Sequence, residues 1–434
     1  MSNHSKHIDI LIERGSQFIN DNPKIIKRVY KDISYNDDPK LYNYAIYFKD
    51  KYSMPKNEDA IASGVSFNKK RALLKVLGET IERYSLSTNN NKKFIYKSYK
   101  ELFSEGHSAL NPNDIIQVLD KKIRPQNALL TKLHWLQGRS LLSNKNILIP
   151  AQLIYVPYVY EHAEVLLQRS ISTGAAAGSS IDDALYRGIC EIVERDAFMI
   201  SYLNMIPSPQ IDLSSTQDKE FNSIIKTFKR YKLELVILDL TTDLKIPVFA
   251  AIVLDRTRLG PAVSVGLKAG FNVKDTIIGA VEESLMVRFG TRDQFAYESL
   301  KYKGEKMISI IDDRARFWLP PSSIEYLVFW LKSKNFKKIN TKDFDYAKNT
   351  LKMAIDLLKE KKMEPLYVDI TDKITRKYGF IVLKVIIPQL HPLYLDERYP
   401  YLGGNRLYET PVKMGIFRKP KVENQLNKVL HPFL

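Results

Sequence analysis

The chain has 434 residues, 44% of them apolar, and a formal charge of +17 from 66 Lys and Arg against 49 Asp and Glu. That length carries a substantial core in one large domain or about two to three units, and its single cysteine, Cys190, excludes a disulfide framework or a cysteine zinc site within one chain. The basic residues are dispersed lysines with no Arg/Lys stripe that carries interleaved aromatics, which argues against nucleic acid and for background composition plus attraction to phosphates or an acidic partner.

The opening Met1-Ser2-Asn3-His4-Ser5-Lys6-His7 has no apolar signal core, and no apolar run approaches the ~20 residues that span a bilayer. The expectation is a cytoplasmic chain without a transmembrane segment. Residues 1–40 are polar, with an amphipathic stretch at 8–19 that predicts a short helix for packing or partner contact. Tyr42–Phe48 alternates as a strand does. Leu73, Leu74, Leu77, Ile81 and Tyr84 predict a helix over residues 66–86, broken by Asn89-Asn90-Asn91-Lys92-Lys93. Residues 147–159 read as a strand. The turn Ser172-Thr173-Gly174-Ala175-Ala176-Ala177-Gly178-Ser179-Ser180 then leads into a helix over Ile181–Leu203, with Ser180 as N-cap and Asp182 and Asp183 in the first turn. Cys190, between Ile189 and Glu191, reads as a buried structural thiol.

Further on, residues 235–241 lead into 246–254, and residues 366–371 into 380–387. Both read as strand, D-x-T turn, strand. Between them a helix over 275–290 carries Glu282, Glu283 and Arg288. A polar tail, 422–434, closes on His431-Pro432-Phe433-Leu434.

One signature occurs twice. Gly78-Glu79-Thr80-Ile81-Glu82-Arg83 and Cys190-Glu191-Ile192-Val193-Glu194-Arg195 both read E-x-x-E-R, and each has an alanine seven residues before its first Glu, Ala72 and Ala184. Helical positions three apart share a face, so each copy presents two carboxylates beside an Arg. Two such helices facing each other would gather four carboxylates, an arrangement that makes sense around a cation. Mg²⁺ carried by a nucleotide is the natural candidate, since it takes a few carboxylates plus substrate phosphates. A lone E-x-x-E-R is ordinarily a solvated helix face; the matched pair with apolar flanks reads as a site. For Arg83 and Arg195 the plain alternative is pairing with the neighbouring Glu, and for Arg288 a surface position. The chain has no G-x-x-x-x-G-K-[ST] P-loop and no G-x-G-x-x-G, although the turn at 172–180 offers backbone N–H groups at a helix start, which suit a phosphate or a plain helix cap. The histidines show no metal-ligand spacing; His391 and His431, each before a proline, read as structural.

The order G-E-x-x-E-R, then S-T-G-x-A-x-G-S-x-x-D-D-A-x-x-x-G-x-x-E-x-x-E-R-D-A, then P-Q-L-H-P-L-Y-L-D and G-G-N-R-L-Y resembles the YcaO superfamily over residues 62–415. The resemblance implies an α+β, YcaO-type fold with internally duplicated helix/strand units and mixed, largely antiparallel sheets. It implies three parts: an N-terminal segment 1–60 for partner contact, an ATP-binding cyclodehydratase domain 61–415, and a tail 416–434 reaching toward the active site. It further implies ATP and Mg²⁺ as cofactors, with Glu79, Glu82, Glu191 and Glu194 as the metal and nucleotide cluster and Arg83 and Arg195 beside it. Ser66, Ser179, Asp183 and Arg288 take the places of further nucleotide contacts. The chain departs from the family at Met286, where a glutamine is usual, and in Ala62-Ser63-Gly64-Val65-Ser66, which lacks a common lysine that Lys69 or Lys70 would replace.

Within the superfamily the chain looks most like the cyclodehydratase subunit of streptolysin-S-like, thiazole/oxazole-modified microcin systems. The implied activity is O-phosphorylation of backbone amides by ATP, cyclodehydrating Cys, Ser or Thr of a ribosomal precursor peptide to thiazoline or oxazoline. Leu434 or His431 is the implied proton acceptor. The implied partners are the precursor peptide and a leader-binding, ubiquitin-activating-enzyme-like subunit; the resemblance also allows a flavin-dependent azoline dehydrogenase and a homodimer. The alternatives are thioamide formation with external sulfide and a non-catalytic nucleotide-binding scaffold.

Overall fold

A computed structural model of the chain describes residues 3–32, 34–49, 61–88, 93–160, 164–298, 311–339 and 348–434. Residues 89–92 of the expected breaker at 89–93, and residues 50–60 of the N-terminal segment, lie outside the described residues. Contacts divide the chain into two units, each assembled from three stretches: 1–33, 42–192 and 349–390 in the first, 34–41, 193–348 and 391–434 in the second.

In the first unit, strands Ile26–Asp32, Tyr42–Phe48 and Ile61–Ser66 form an antiparallel sheet. Tyr42–Phe48 keeps its predicted bounds because alternation buries Tyr44, Ile46 and Phe48. Helix Lys69–Ser87 packs on Ile61–Ser66 and against helix Asn3–Asp21, which extends the helix expected at 8–19 at both ends. Asn68 starts helix Lys69–Ser87, its side chain accepting the N–H groups of Lys70 and Arg71.

A second antiparallel sheet runs in the order Ile95–Ser98, Lys132–Ser140, Leu366–Asp369, Ile381–Ile386, Ala175–Gly178, with Asn146–Pro150 paired to Lys132–Ser140. The strand expected over 147–159 ends at Pro150. There the chain closes a 3₁₀ turn, Ala151–Leu153, and the N–H groups of Ile154 and Tyr155 both bond Ala151 O.

In the second unit the sheet order is Val263–Ala269, Val248–Leu254, Glu234–Asp239, Gln210–Ile211, Phe336–Lys337, with the last pairing parallel. Val248–Leu254 is buried along its whole length, and helix Val273–Glu298 covers it and Val263–Ala269. The two D-x-T turns share one local geometry. Asp239 accepts Thr241 N–H and Asp369 accepts Thr371 N–H, each at 2.9 Å. Each threonine hydroxyl then takes the N–H of the returning strand, Val248 in one unit and Val382 in the other. The fold is therefore mixed helix and largely antiparallel sheet, with repeated local units, as expected. Among the described residues, no helix is long and apolar enough to cross a membrane.

Candidate functional site

Three strand–helix pairs among the described residues share one device: a glutamate on the helix reaches back to a backbone N–H of the preceding strand or its leading edge. Glu79 accepts Ser63 N–H at 2.9 Å, Glu191 accepts Gly174 N–H at 3.0 Å, and Glu283 accepts that of Leu267 at 2.6 Å. The first two belong to the first unit and the third to the second. The approach requires strand glycines. A Cβ on Gly64 would stand 2.3 Å from Ala72 O, and one on Gly266 2.2 Å from Ala280 O and Ser284 N. The E-x-x-E pattern marked two of these pairs; the third escapes it because Met286 stands three residues after Glu283.

In the first unit Glu79 also takes Arg83 Nε at 2.8 Å, the neighbour pairing open at the sequence level. Glu82 lies half-buried near Glu79 and Glu191. Burial first, then the charges of Glu191 and Glu79, push its carboxyl well above the usual range; Arg83 and Lys384 oppose the rise. Lys384 is the residue sequence reasoning missed here. Burial pushes its ammonium down to about 8 against the pull of Glu191 and Glu82. Its signal was a charge inside the apolar strand Ile381–Ile386. The suggested substitutes stand elsewhere: Lys69 is exposed, and Lys70 pairs with Asp9 at 2.6 Å.

Two further predicted residues sit at the start of helix Ile181–Leu203. Ser180 Oγ accepts Asp183 N–H, the expected N-cap, while Asp183 takes Ser179 N–H at 3.1 Å and Arg187 Nε at 2.7 Å. Ser66 is fully buried, its hydroxyl accepting Asn68 N–H. Cys190 is buried, as expected.

The same helix carries Glu194 and Arg195 in the second unit. Glu194 is 3% exposed, accepts Ala269 N–H at 3.0 Å and pairs with Arg195 at 2.8 Å. Burial raises its pKa above the usual carboxylate value, against Arg195 and Lys268. The next residue, Asp196, is fully buried and was not singled out from sequence. It receives Arg406 through two bonds of 2.7 and 2.8 Å and also His391 N–H. Arg406 also pairs with Asp243 at 2.9 Å.

Arg288 is 1% exposed and enclosed by two buried carboxylates, Asp38 and Asp255, each at 2.8 Å. His431 is buried, and its Nε2 lies 2.7 Å from Tyr394 O, which makes that nitrogen the donor. Phe433 is buried and Leu434 half-buried.

Among the described residues, no group of three His, Cys, Asp or Glu side chains stands as a ready metal cage. The donor chemistry nonetheless fits Mg²⁺, which prefers carboxylate oxygens with phosphates and water to an all-protein cage. Burial, and after it the charges of Glu191 and Glu79, disfavour the Glu82 carboxylate, and a cation beside it would oppose both.

A family model described as YcaO cyclodehydratase, ATP- and Mg²⁺-binding, matches residues 63–391. An uncharacterized protein of Methanothermobacter thermautotrophicus is 24% identical over 360 residues, covering 80% of this chain and 85% of its own. Among solved structures, a heterocyclase in complex with substrate and cofactor superposes with a TM-score of 0.78 at 21% identity, over 96% of this chain and 57% of that one. This chain thus spans little more than half of that heterocyclase. The structure of YcaO from Methanopyrus kandleri, bound with AMPPCP and Mg²⁺, gives 0.64 at 14% identity, over 88% and 91% of the two chains.

Proposed function

Because the chain belongs to the YcaO family, we propose that it binds Mg²⁺–ATP and activates backbone amides of a ribosomal precursor peptide, cyclodehydrating Cys, Ser or Thr to azolines. The observation that carries this is Glu82, whose carboxyl burial holds beside Glu191 and Glu79 at a cost that a bound cation offsets. Glu79, Glu82 and Glu191 are the proposed Mg²⁺ ligands, and Glu194 and Arg195 keep their implied places as metal ligand and nucleotide contact. The nucleotide's part is to turn the amide oxygen into a phosphate leaving group.

The chain's own residues orient and neutralise. The backbone N–H groups of Ser63, Gly174 and Ala269 fix Glu79, Glu191 and Glu194, so these three carboxylates are placed before any ligand arrives, and such preorganisation is the main lever in phosphoryl transfer. Arg83 and Arg195 supply positive charge next to them. Ser179 and Asp183 close the turn at the helix start, where backbone N–H groups suit a phosphate. Ser66 and Arg288, both enclosed, hold the scaffold of the nucleotide contacts. His431, enclosed and donating to a carbonyl, anchors the tail, which leaves Leu434 as the proposed proton acceptor.

Leader recognition is assigned to a separate, ubiquitin-activating-enzyme-like subunit, as the family resemblance implies. The deciding experiment is mass spectrometry of the precursor peptide incubated with this protein, that subunit, ATP and Mg²⁺. Loss of one water per modified residue, dependent on ATP, is the expected result. An oxygen-to-sulfur gain with sulfide, or no mass change with nucleotide still bound, would overturn it.

A further inference from the structure

Lys384 is 2% exposed in an apolar strand. A buried ammonium is costly unless it is bonded and charge-balanced. Its Nζ donates to Ile171 O at 2.7 Å and to Thr173 O at 2.6 Å. The next residue, Gly174, gives its N–H to Glu191 at 3.0 Å. Strand pairing enforces this arrangement: Lys384 lies opposite Ala175, and Val385 N–H bonds Gly174 O at 2.7 Å. Gly174 also has a positive φ of 86°, and a Cβ there would stand 2.3 Å from Val385 O. The loop therefore sits directly on the strand, with the ammonium held by the loop carbonyls, and Glu191 and Glu82 are the carboxylates whose charges act on it.

We propose that Lys384 is an internal counter-cation of the Glu82–Glu191 pair, a positioning residue that seats the 171–174 loop and offsets the carboxylates before a divalent cation binds. The inference rests on reading this cluster as a divalent-cation site, and it adds a second, covalently tethered cation for the same carboxylates. An ammonium with two protons committed to carbonyls cannot leave the site. The protein therefore keeps a cation near these carboxylates while empty, and the metal adds to an organised cluster.

The test is thermal melting of the full-length protein and its Lys384→Met variant, each in EDTA and in excess Mg²⁺ with ADP. The expected result is a loss of several degrees for K384M in EDTA, of which Mg²⁺–ADP restores the larger part. It also includes a Glu82→Gln gain in EDTA that is larger in K384M than in the wild-type background. A lysine serving the loop carbonyls alone predicts the same loss in both conditions and an equal E82Q gain with and without Lys384; that outcome overturns the proposal. If the wild-type protein gains nothing from Mg²⁺–ADP, the divalent-cation reading falls, and the dependence of the E82Q gain on Lys384 in EDTA still decides the role of Lys384. Should K384M not fold, Lys384→Gln, which keeps a donor for the loop carbonyls and loses the charge, takes its place, and a loss in EDTA no larger than that in Mg²⁺–ADP overturns the proposal.

Discussion

The Arg195 guanidinium lies over the ring of Phe433, 4.1 Å from its centroid, while its Nη1 pairs with Glu194 at 2.8 Å. Phe433 is 3% exposed and packs on Phe198, from the same helix as Arg195, at 5.6 Å between centroids. The tail is thus fastened to the residue beside a proposed metal ligand. Phe433→Ala removes a buried ring, a loss of about 3–5 kcal/mol for such truncations, and a cation–π contact worth about 0.5–2 kcal/mol. The expected outcome is a lower melting temperature together with reduced ATP turnover, and Phe433→Tyr should keep more of both. Deleting residues 432–434 with turnover unchanged would reduce the tail to a structural element.

Glu82→Gln and Glu194→Gln should each weaken Mg²⁺-dependent ATP consumption by about 10-fold or more, as loss of metal-supporting groups commonly does. In the metal-free protein E82Q should raise the melting temperature, because it removes a charge that burial and two neighbouring glutamates disfavour. Near-normal turnover in both variants would remove these residues from the ligand set.

Arg288 separates a nucleotide contact from a clamp. Its two carboxylates are fully buried, and removing one member of a buried ion pair costs about 3–5 kcal/mol because the partners are left uncompensated. Arg288→Met should therefore melt well below wild type, and any folded fraction should keep its affinity for Mg²⁺–ATP. Loss of nucleotide binding at unchanged stability would restore the phosphate role.

Burial pushes the His391 imidazole down to about 4. Below about 6.5 an unfolded histidine takes up a proton, whereas the folded one stays neutral until about 4. The unfolded state then binds more protons, so stability falls as pH is lowered through this window. The slope from this group approaches about 1.4 kcal/mol per pH unit. Denaturant melts between these limits should show the fall, and His391→Gln should flatten it.

Gly64→Ala and Gly266→Ala put a methyl into helix backbone at 2.3 and 2.2 Å. Neither helix can yield without losing the glutamate held by the adjacent strand, so each should cost about 1–3 kcal/mol or more. Gly78→Ala, whose Cβ would meet nothing within 4 Å, is the control. Its melting temperature should match or exceed wild type, since alanine is the better helix former.

What the sequence determined by itself is what local chemistry decides. The strand Tyr42–Phe48, the helix Ile181–Leu203 with its Ser180 cap and the two D-x-T turns were legible because alternation, 3.6-residue periodicity and Asp/Thr side-chain bonding act within about ten residues. The paired E-x-x-E-R motifs were legible because both carboxylates of each copy lie on one helical turn. Tertiary structure decided which groups stand around them. Lys384 reaches the loop before Gly174 across 211 residues of chain, and Arg288 finds Asp38 across 250; no local pattern encodes such pairings. They exist because strand register and close glycine contacts bring distant segments together, and a charge buried there must find its partner in space rather than in sequence.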